Sequence, residues 1–181
     1  IILILVFNAG CTSMFFFPEK GLRDNPVLQR FPHEDIYFKA SDGVKLHGWF
    51  FKAQNSSLGT VLVLHGNAEN ISTHINSVLW LVKEGFDVFA FDYRGYGLSE
   101  GKTAVQGVHL DADAALETVL NLSQANKERF FILGQSVGGP IAVYTLANSP
   151  HKNRTKALII DSSFSDYRRI AREKLAQIVI T

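Results

Sequence analysis

The chain has 181 residues, 46% of them hydrophobic and 19% charged, and its 18 lysines and arginines against 17 aspartates and glutamates leave a formal net charge of +1. That length accommodates about one domain with a substantial core, and the composition fits neither intrinsic disorder nor a basic nucleic-acid footprint. The single cysteine excludes an internal disulfide, and no Cys/His spacing suits a structural metal, so apolar burial has to hold the fold together.

The sequence starts at Ile1 rather than at methionine and stops at Thr181 inside an amphipathic segment, so it reads as a fragment. Ile1 to Phe7 is an unbroken apolar run, too short to span a bilayer but the right length for the remainder of a signal-peptide apolar region. Asn8, Ala9, Gly10 and Cys11 follow. A run ending in Ala9-Gly10-Cys11 resembles the lipobox of bacterial lipoproteins, with Asn8 where that motif usually has leucine. The resemblance implies lipidation of Cys11, residues 1–10 as residual signal peptide, residues 11–32 as a tether, and a lipid-anchored location in the bacterial cell envelope outside the cytoplasm. The alternative is a buried N-terminal strand with a core cysteine.

Downstream, Asp35 to Lys39 and Val44 to Phe51 are β-rich runs flanking Asp42-Gly43, a hairpin signal that predicts an antiparallel pair. Thr60 to Leu64 is continuous and apolar, the pattern of a strand covered on both faces. Ser72 to Lys83 reads as a helix capped by Ser72, with Ile75, Val78, Leu79 and Val82 along one stripe and Gly85 beyond its end. The alternation continues with a strand over Phe86 to Phe91, a helix over Val108 to Leu122, a strand over Arg129 to Leu133, a helix over Val137 to Ala147 and a strand over Ala157 to Ile160. Such alternation predicts an α/β fold with a mostly parallel sheet flanked by helices, occupying residues 33–181 as one partial domain. In open sheets of this kind chemistry gathers at the carboxyl ends of the strands, which directs attention to the loops starting at His65, Asp92, Gly134 and Asp161.

Gly134-Gln135-Ser136-Val137-Gly138 matches G-x-S-x-G directly after a strand and before a helix, the context of a nucleophile elbow. Gly134 and Gly138 relieve crowding on either side of Ser136. The helix start also offers free N–H groups where a tetrahedral oxyanion would form, and Val137 is one expected donor. The second is the backbone N–H of Asn67, in the loop His65-Gly66-Asn67-Ala68-Glu69-Asn70. His65 itself reads as a loop-holding residue and Asn70 as a helix cap.

Taken with Phe17-Pro18-Glu19-Lys20-Gly21-Leu22-Arg23, Ser41-Asp42-Gly43 and Phe91-Asp92-Tyr93-Arg94-Gly95-Tyr96-Gly97, these motifs resemble the α/β-hydrolase superfamily, in its serine aminopeptidase and lysophospholipase-like branch. The resemblance implies an α/β-hydrolase fold, an N-terminal antiparallel hairpin included, truncated before its last strands. It also implies Ser136 as nucleophile, with an Asp and a His supplied after later strands, so that this fragment alone is expected to be inactive and poorly stable.

The glycines from Asp92 to Gly101 do not match a dinucleotide fingerprint, and Arg94 is expected to pair with a carboxylate or carbonyl. His33-Glu34-Asp35-Ile36-Tyr37 lacks the second histidine of a zinc-protease helix. No cofactor, metal or nucleic-acid partner is therefore expected. His151, the only histidine beyond Ser136, falls at the wrong end of its helix to serve as the base, and Asp161 is expected to be structural. The reading is a serine hydrolase that cleaves an ester, thioester or amide bond of a small acyl substrate through an acyl-enzyme on Ser136. The alternative is a non-catalytic, membrane-tethered binding protein on the same scaffold.

Overall fold

The computed structural model describes residues 15–164; residues 1–10, Cys11 and the stretch from Ser165 to Thr181 lie outside them. The strands are β1 (Phe17–Pro18), β2 (His33–Lys39), β3 (Lys45–Phe51), β4 (Gly59–Leu64), β5 (Ala68–Glu69), β6 (Phe86–Asp92), β7 (Phe130–Gln135) and β8 (Thr155–Asp161). The helices are α1 (Ile71–His74), α2 (Trp80–Lys83), α3 (Val105–Asn121) and α4 (Gly138–Asn148), with short 3-10 turns between some elements.

Six strands form one sheet in the order β2-β3-β6-β4-β7-β8. The β2–β3 and β3–β6 pairs are antiparallel, whereas β6, β4, β7 and β8 run parallel. This is the α/β-hydrolase architecture. The hairpin turns as its sequence demands: Gly43 adopts φ +88° and its N–H reaches the Ala40 carbonyl at 2.9 Å. A left-handed residue there carries no Cβ penalty only as glycine.

The period of two along each central strand divides the core between the two faces of the sheet. Leu62, Leu64, Phe89 and Phe91 pack on α3 and α4 through Val108, Leu116 and Ile141. Val61, Val63, Val88 and Ala90 face the opposite way, toward Ile71, Ile75, Val78, Leu79 and Val82. Full burial of side chains this size contributes about 1.5–3 kcal/mol each, which explains why the central strands are apolar along most of their length on both faces.

The predicted helix over 72–83 is the main local correction. Its apolar stripe is buried as the spacing requires, but the backbone forms α1, a 3-10 turn over Ile75–Ser77, and α2. Side chains compete for the carbonyls there: the Ser77 hydroxyl donates to His74 O at 2.8 Å and the Trp80 indole N–H to Ser77 O at 3.0 Å. The cap is Asn70, not Ser72; its side-chain oxygen accepts the Ser72 N–H at 3.0 Å.

The described part of the N-terminal stretch, residues 15–32, is packed on the domain. Phe16 and Phe31 are buried in the two core clusters, β1 pairs with β5, and the Phe17 N–H donates to Asn67 O at 2.7 Å. A segment six residues after Cys11 is thereby in contact with the loop that carries Asn67.

Candidate active site

The parallel strands β4, β6 and β7 end side by side, which brings the His65, Asp92 and Gly134 loops to one edge of the sheet. Ser136 lies between β7 and α4 with φ +50°, a left-handed conformation that a residue with a side chain adopts at a cost of about 1–3 kcal/mol. Backbone contacts impose it. The Ser136 N–H donates to Asp161 O at 2.9 Å, and its carbonyl accepts the Gly139 N–H at 3.0 Å and the Ser163 hydroxyl at 2.6 Å. The residue is half-buried, and among the described residues its Oγ has no hydrogen-bond partner.

The flanking glycines are dictated by close approach. A Cβ on Gly134 would lie 2.6 Å from Gly138 O, and one on Gly138 would run into the Leu64 carbonyl. Any larger residue would push the elbow away from the end of β4. Gln135 is committed to bracing: its amide N–H donates to Asp161 Oδ2 at 3.2 Å and its oxygen accepts from the Ser77 hydroxyl at 3.2 Å.

Val137 is buried at the N-cap of α4, and its N–H has no acceptor among the described residues. The Asn67 N–H is likewise unpaired among them, whereas the Asn67 carbonyl accepts both the Phe17 N–H and the Tyr96 hydroxyl, each at 2.7 Å. Gly66 connects this loop to the elbow, since a Cβ there would stand 3.6 Å from Ser136 Cβ. Among the described residues, two unpaired amides thus lie in the loops that meet at the unpaired Ser136 hydroxyl, beside the positive end of an 11-residue helix.

His65 is 1% exposed. Its Nδ1–H donates to Gly66 O at 2.8 Å, and its Nε2 lies 3.4 Å from Asp92 Oδ1. His74, which the sequence reading did not place at the site, stacks on His65 with ring centroids 5.1 Å apart. Its ring also meets Gly66 from the side Ser136 does, 3.1 Å from where a Cβ would stand. Burial, then the neighbouring His65, depress the His74 pKa below its ordinary 6.5, and its Nε2–H donates to Ala68 O at 2.9 Å. The Asn70 cap was the available signal, because a helix starting at residue 71 puts position 74 in its first turn.

Arg94 pairs with carboxylates as expected: its guanidinium meets Asp111 at 2.8 Å and Asp42 at 2.7 Å. Burial opposes that charge, but the hydrogen bonds to Asp111 and Asp42 outweigh it and raise the arginine pKa. His151 follows α4 at the amino ends of β7 and β8, across the sheet from Ser136. The Asp161 side chain is exposed and accepts from Gln135 and Ser162. A cavity of about 570 Å³ runs along α4 and β8, lined by Pro140, Val143, Tyr144, Ile160 and Phe164 among others, but Ser136 does not line it. Among the described residues no cluster of three or more His, Cys, Asp or Glu side chains is arranged to hold a metal ion.

This geometry meets its counterpart in known proteins. Residues 55–179 match the model of the serine aminopeptidase S33 hydrolases. The chain belongs to that family. It is 34% identical over 189 aligned positions to the uncharacterized protein YfhR of Salmonella typhi, covering 97% of this chain and 63% of that protein. It is 37% identical over 142 positions to the alpha/beta hydrolase domain-containing protein WAV2 of Arabidopsis thaliana, covering 77% of this chain and 46% of that one. Among solved structures, the Pyrococcus furiosus esterase Pf2001 superimposes with a TM-score of 0.68 and 28% identity, over 82% of this chain and 57% of the esterase. The S33-family chain thus spans about half to two thirds of the length of these relatives.

Proposed function

We propose that the protein containing this chain is a serine hydrolase that cleaves an ester, thioester or amide bond through an acyl-enzyme on Ser136. The observation that carries the reading is a serine held at φ +50° whose hydroxyl, like the N–H groups of Val137 and Asn67 in the adjoining loops, has no hydrogen-bond partner among the described residues. The Ser136 Oγ attacks the substrate carbonyl carbon and its proton passes to a general base. The carbonyl oxygen becomes an oxyanion that accepts hydrogen bonds from the Val137 and Asn67 N–H groups. Collapse expels the alcohol, thiol or amine with a proton from the same base, and water then releases the acid. The base and its orienting carboxylate come from residues outside those described, in the order Ser, Asp, His expected of this fold.

The family membership and the likeness to an esterase support hydrolysis as the class of reaction. The test is labelling of the full-length protein with a fluorophosphonate probe. Labelling at Ser136 that disappears in Ser136→Ala supports the reading; a wild-type protein that is folded and unlabelled overturns it in favour of a binding scaffold.

A second part of the proposal is a lipid anchor at Cys11, holding the enzyme at the bacterial cell envelope and its site near acyl substrates of the membrane. Its support is the apolar run before Ala9-Gly10-Cys11. Mass spectrometry of the mature N-terminus tests it: a diacylated or triacylated Cys11, lost together with membrane retention in Cys11→Ser, is the expected result, and an unmodified cysteine in the membrane fraction overturns it.

A further inference from the structure

We infer that His65 is the positioning residue for an oxyanion donor: by holding the Gly66 carbonyl it aims the Asn67 N–H, and Asp92 in turn holds His65. The inference rests on the serine-hydrolase reading above and specifies how its second donor is oriented.

The argument is one of peptide geometry. The Gly66 C=O and the Asn67 N–H belong to the same peptide unit, and no peptide bond in the described chain is cis. In a planar trans peptide these two groups point in opposite directions, so fixing one fixes the other. The imidazole Nδ1–H takes Gly66 O at 2.8 Å on the buried side. The Asn67 N–H is thereby turned away from the interior, beside the glycine that borders Ser136. Glycine at 66 leaves that peptide with more rotational freedom than any other residue would, so a side-chain grip is what selects one orientation.

The imidazole itself is held on every side. Tyr93 and Tyr96 pack on it with ring centroids at 4.6 and 5.2 Å, and His74 stacks at 5.1 Å. Asp92 Oδ1 lies 3.4 Å from Nε2 and also accepts the Ile71 N–H at 2.8 Å, at the start of α1. Neither His65 Nε2 nor Asp92 Oδ2 forms a hydrogen bond among the described residues. Asp92 thus ties the end of β6, the start of α1 and the donor loop into one unit.

A residue that only stabilised the fold would leave the rate of chemistry intact in any folded variant. A residue that aims an oxyanion donor affects the transition state more than ground-state binding. The experiment uses the full-length protein with a p-nitrophenyl ester as substrate and a trifluoromethyl ketone as oxyanion-forming inhibitor. His65→Leu is expected to lower kcat by about 100-fold with KM changed less than about threefold, since loss of a donor costs on the order of 100- to 1000-fold. Inhibitor affinity is expected to fall in parallel. His65→Asn, whose side-chain amide N–H stands where Nδ1–H stands, recovers most of the rate. His65→Gln, whose N–H stands at the Nε2 position, does not.

The Asn/Gln pair keeps the result decisive should His65→Leu fail to fold, because both variants lose the ring and differ in the position of one donor. Equal rates for Asn and Gln, or an effect confined to KM, overturn the positioning role while Ser136 labelling in the wild type still upholds the hydrolase reading. Absence of that labelling overturns both.

Discussion

Two glycine-rich loops leave β6 and β7, the parallel strands on either side of β4, at the same edge of the sheet, and they have been built to opposite ends. In the loop after β6, the polar groups of Arg94, Ser99 and Thr103 are answered. The Arg94 guanidinium is shared between Asp111 and Asp42, the Ser99 hydroxyl donates to Asp92 O at 2.6 Å, and the Thr103 hydroxyl donates to Arg94 O at 2.9 Å. In the elbow after β7, the backbone is just as firmly held, yet the Ser136 hydroxyl and the Val137 N–H are left without partners among the described residues. Glycine content does not distinguish the loops. What distinguishes a scaffold from a reactive centre is where the unsatisfied hydrogen-bonding capacity remains.

The contrast can be broken at several points. The largest effect is expected from Ser136→Ala, which should lower kcat of the full-length enzyme by roughly 10⁶-fold, as loss of a serine nucleophile does elsewhere. Its melting temperature should not fall, which differential scanning calorimetry would check. The mirror experiment in the satisfied loop is Arg94→Met: it strands the fully buried Asp111 carboxylate and should cost about 3–5 kcal/mol in urea unfolding. The folded fraction of that variant should still label at Ser136. Gly138→Ala, which pushes a methyl group into the Leu64 carbonyl, should cost about 1–3 kcal/mol and slow labelling by shifting the elbow against β4.

The smallest effect concerns His74. Burial depresses its folded-state pKa below 6.5, so as the pH falls through the ordinary imidazole range the unfolded chain takes up the proton first. Stability is therefore retained above about pH 6.5 and declines between there and the folded-state pKa. An NMR titration of the His74 ring should show a midpoint below 6.5, and His74→Gln should flatten this part of the stability profile.

Much of this was legible in the residues. The alternating apolar strands, the Asp42-Gly43 turn and G-x-S-x-G between a strand and a helix each report a local requirement of sterics or burial. The broken helix after Asn70 was not legible, because the stripe Ile75, Val78, Leu79 and Val82 satisfies helical spacing whether or not the carbonyls of His74 and Ser77 are taken by side chains. The company of His65 was hidden for a different reason. His74 comes from one stretch and Asp92, Tyr93 and Tyr96 from another, and only the pairing of β6 beside β4 makes them neighbours of His65.

Local chain chemistry alone determined the order of strands and helices, the elbow with Ser136 at its centre, and the loop that carries Asn67. Those features depend on Cβ crowding and on which side chains avoid water, and both are properties of short stretches. The tertiary structure alone decided that the Gly66 peptide is gripped by a buried histidine, that Gln135 braces the elbow, and that the N-terminal strand lies on the loop that carries Asn67. Hydrogen-bond partners distant along the chain are chosen by the register of a folded sheet, and no periodicity along the sequence encodes that register.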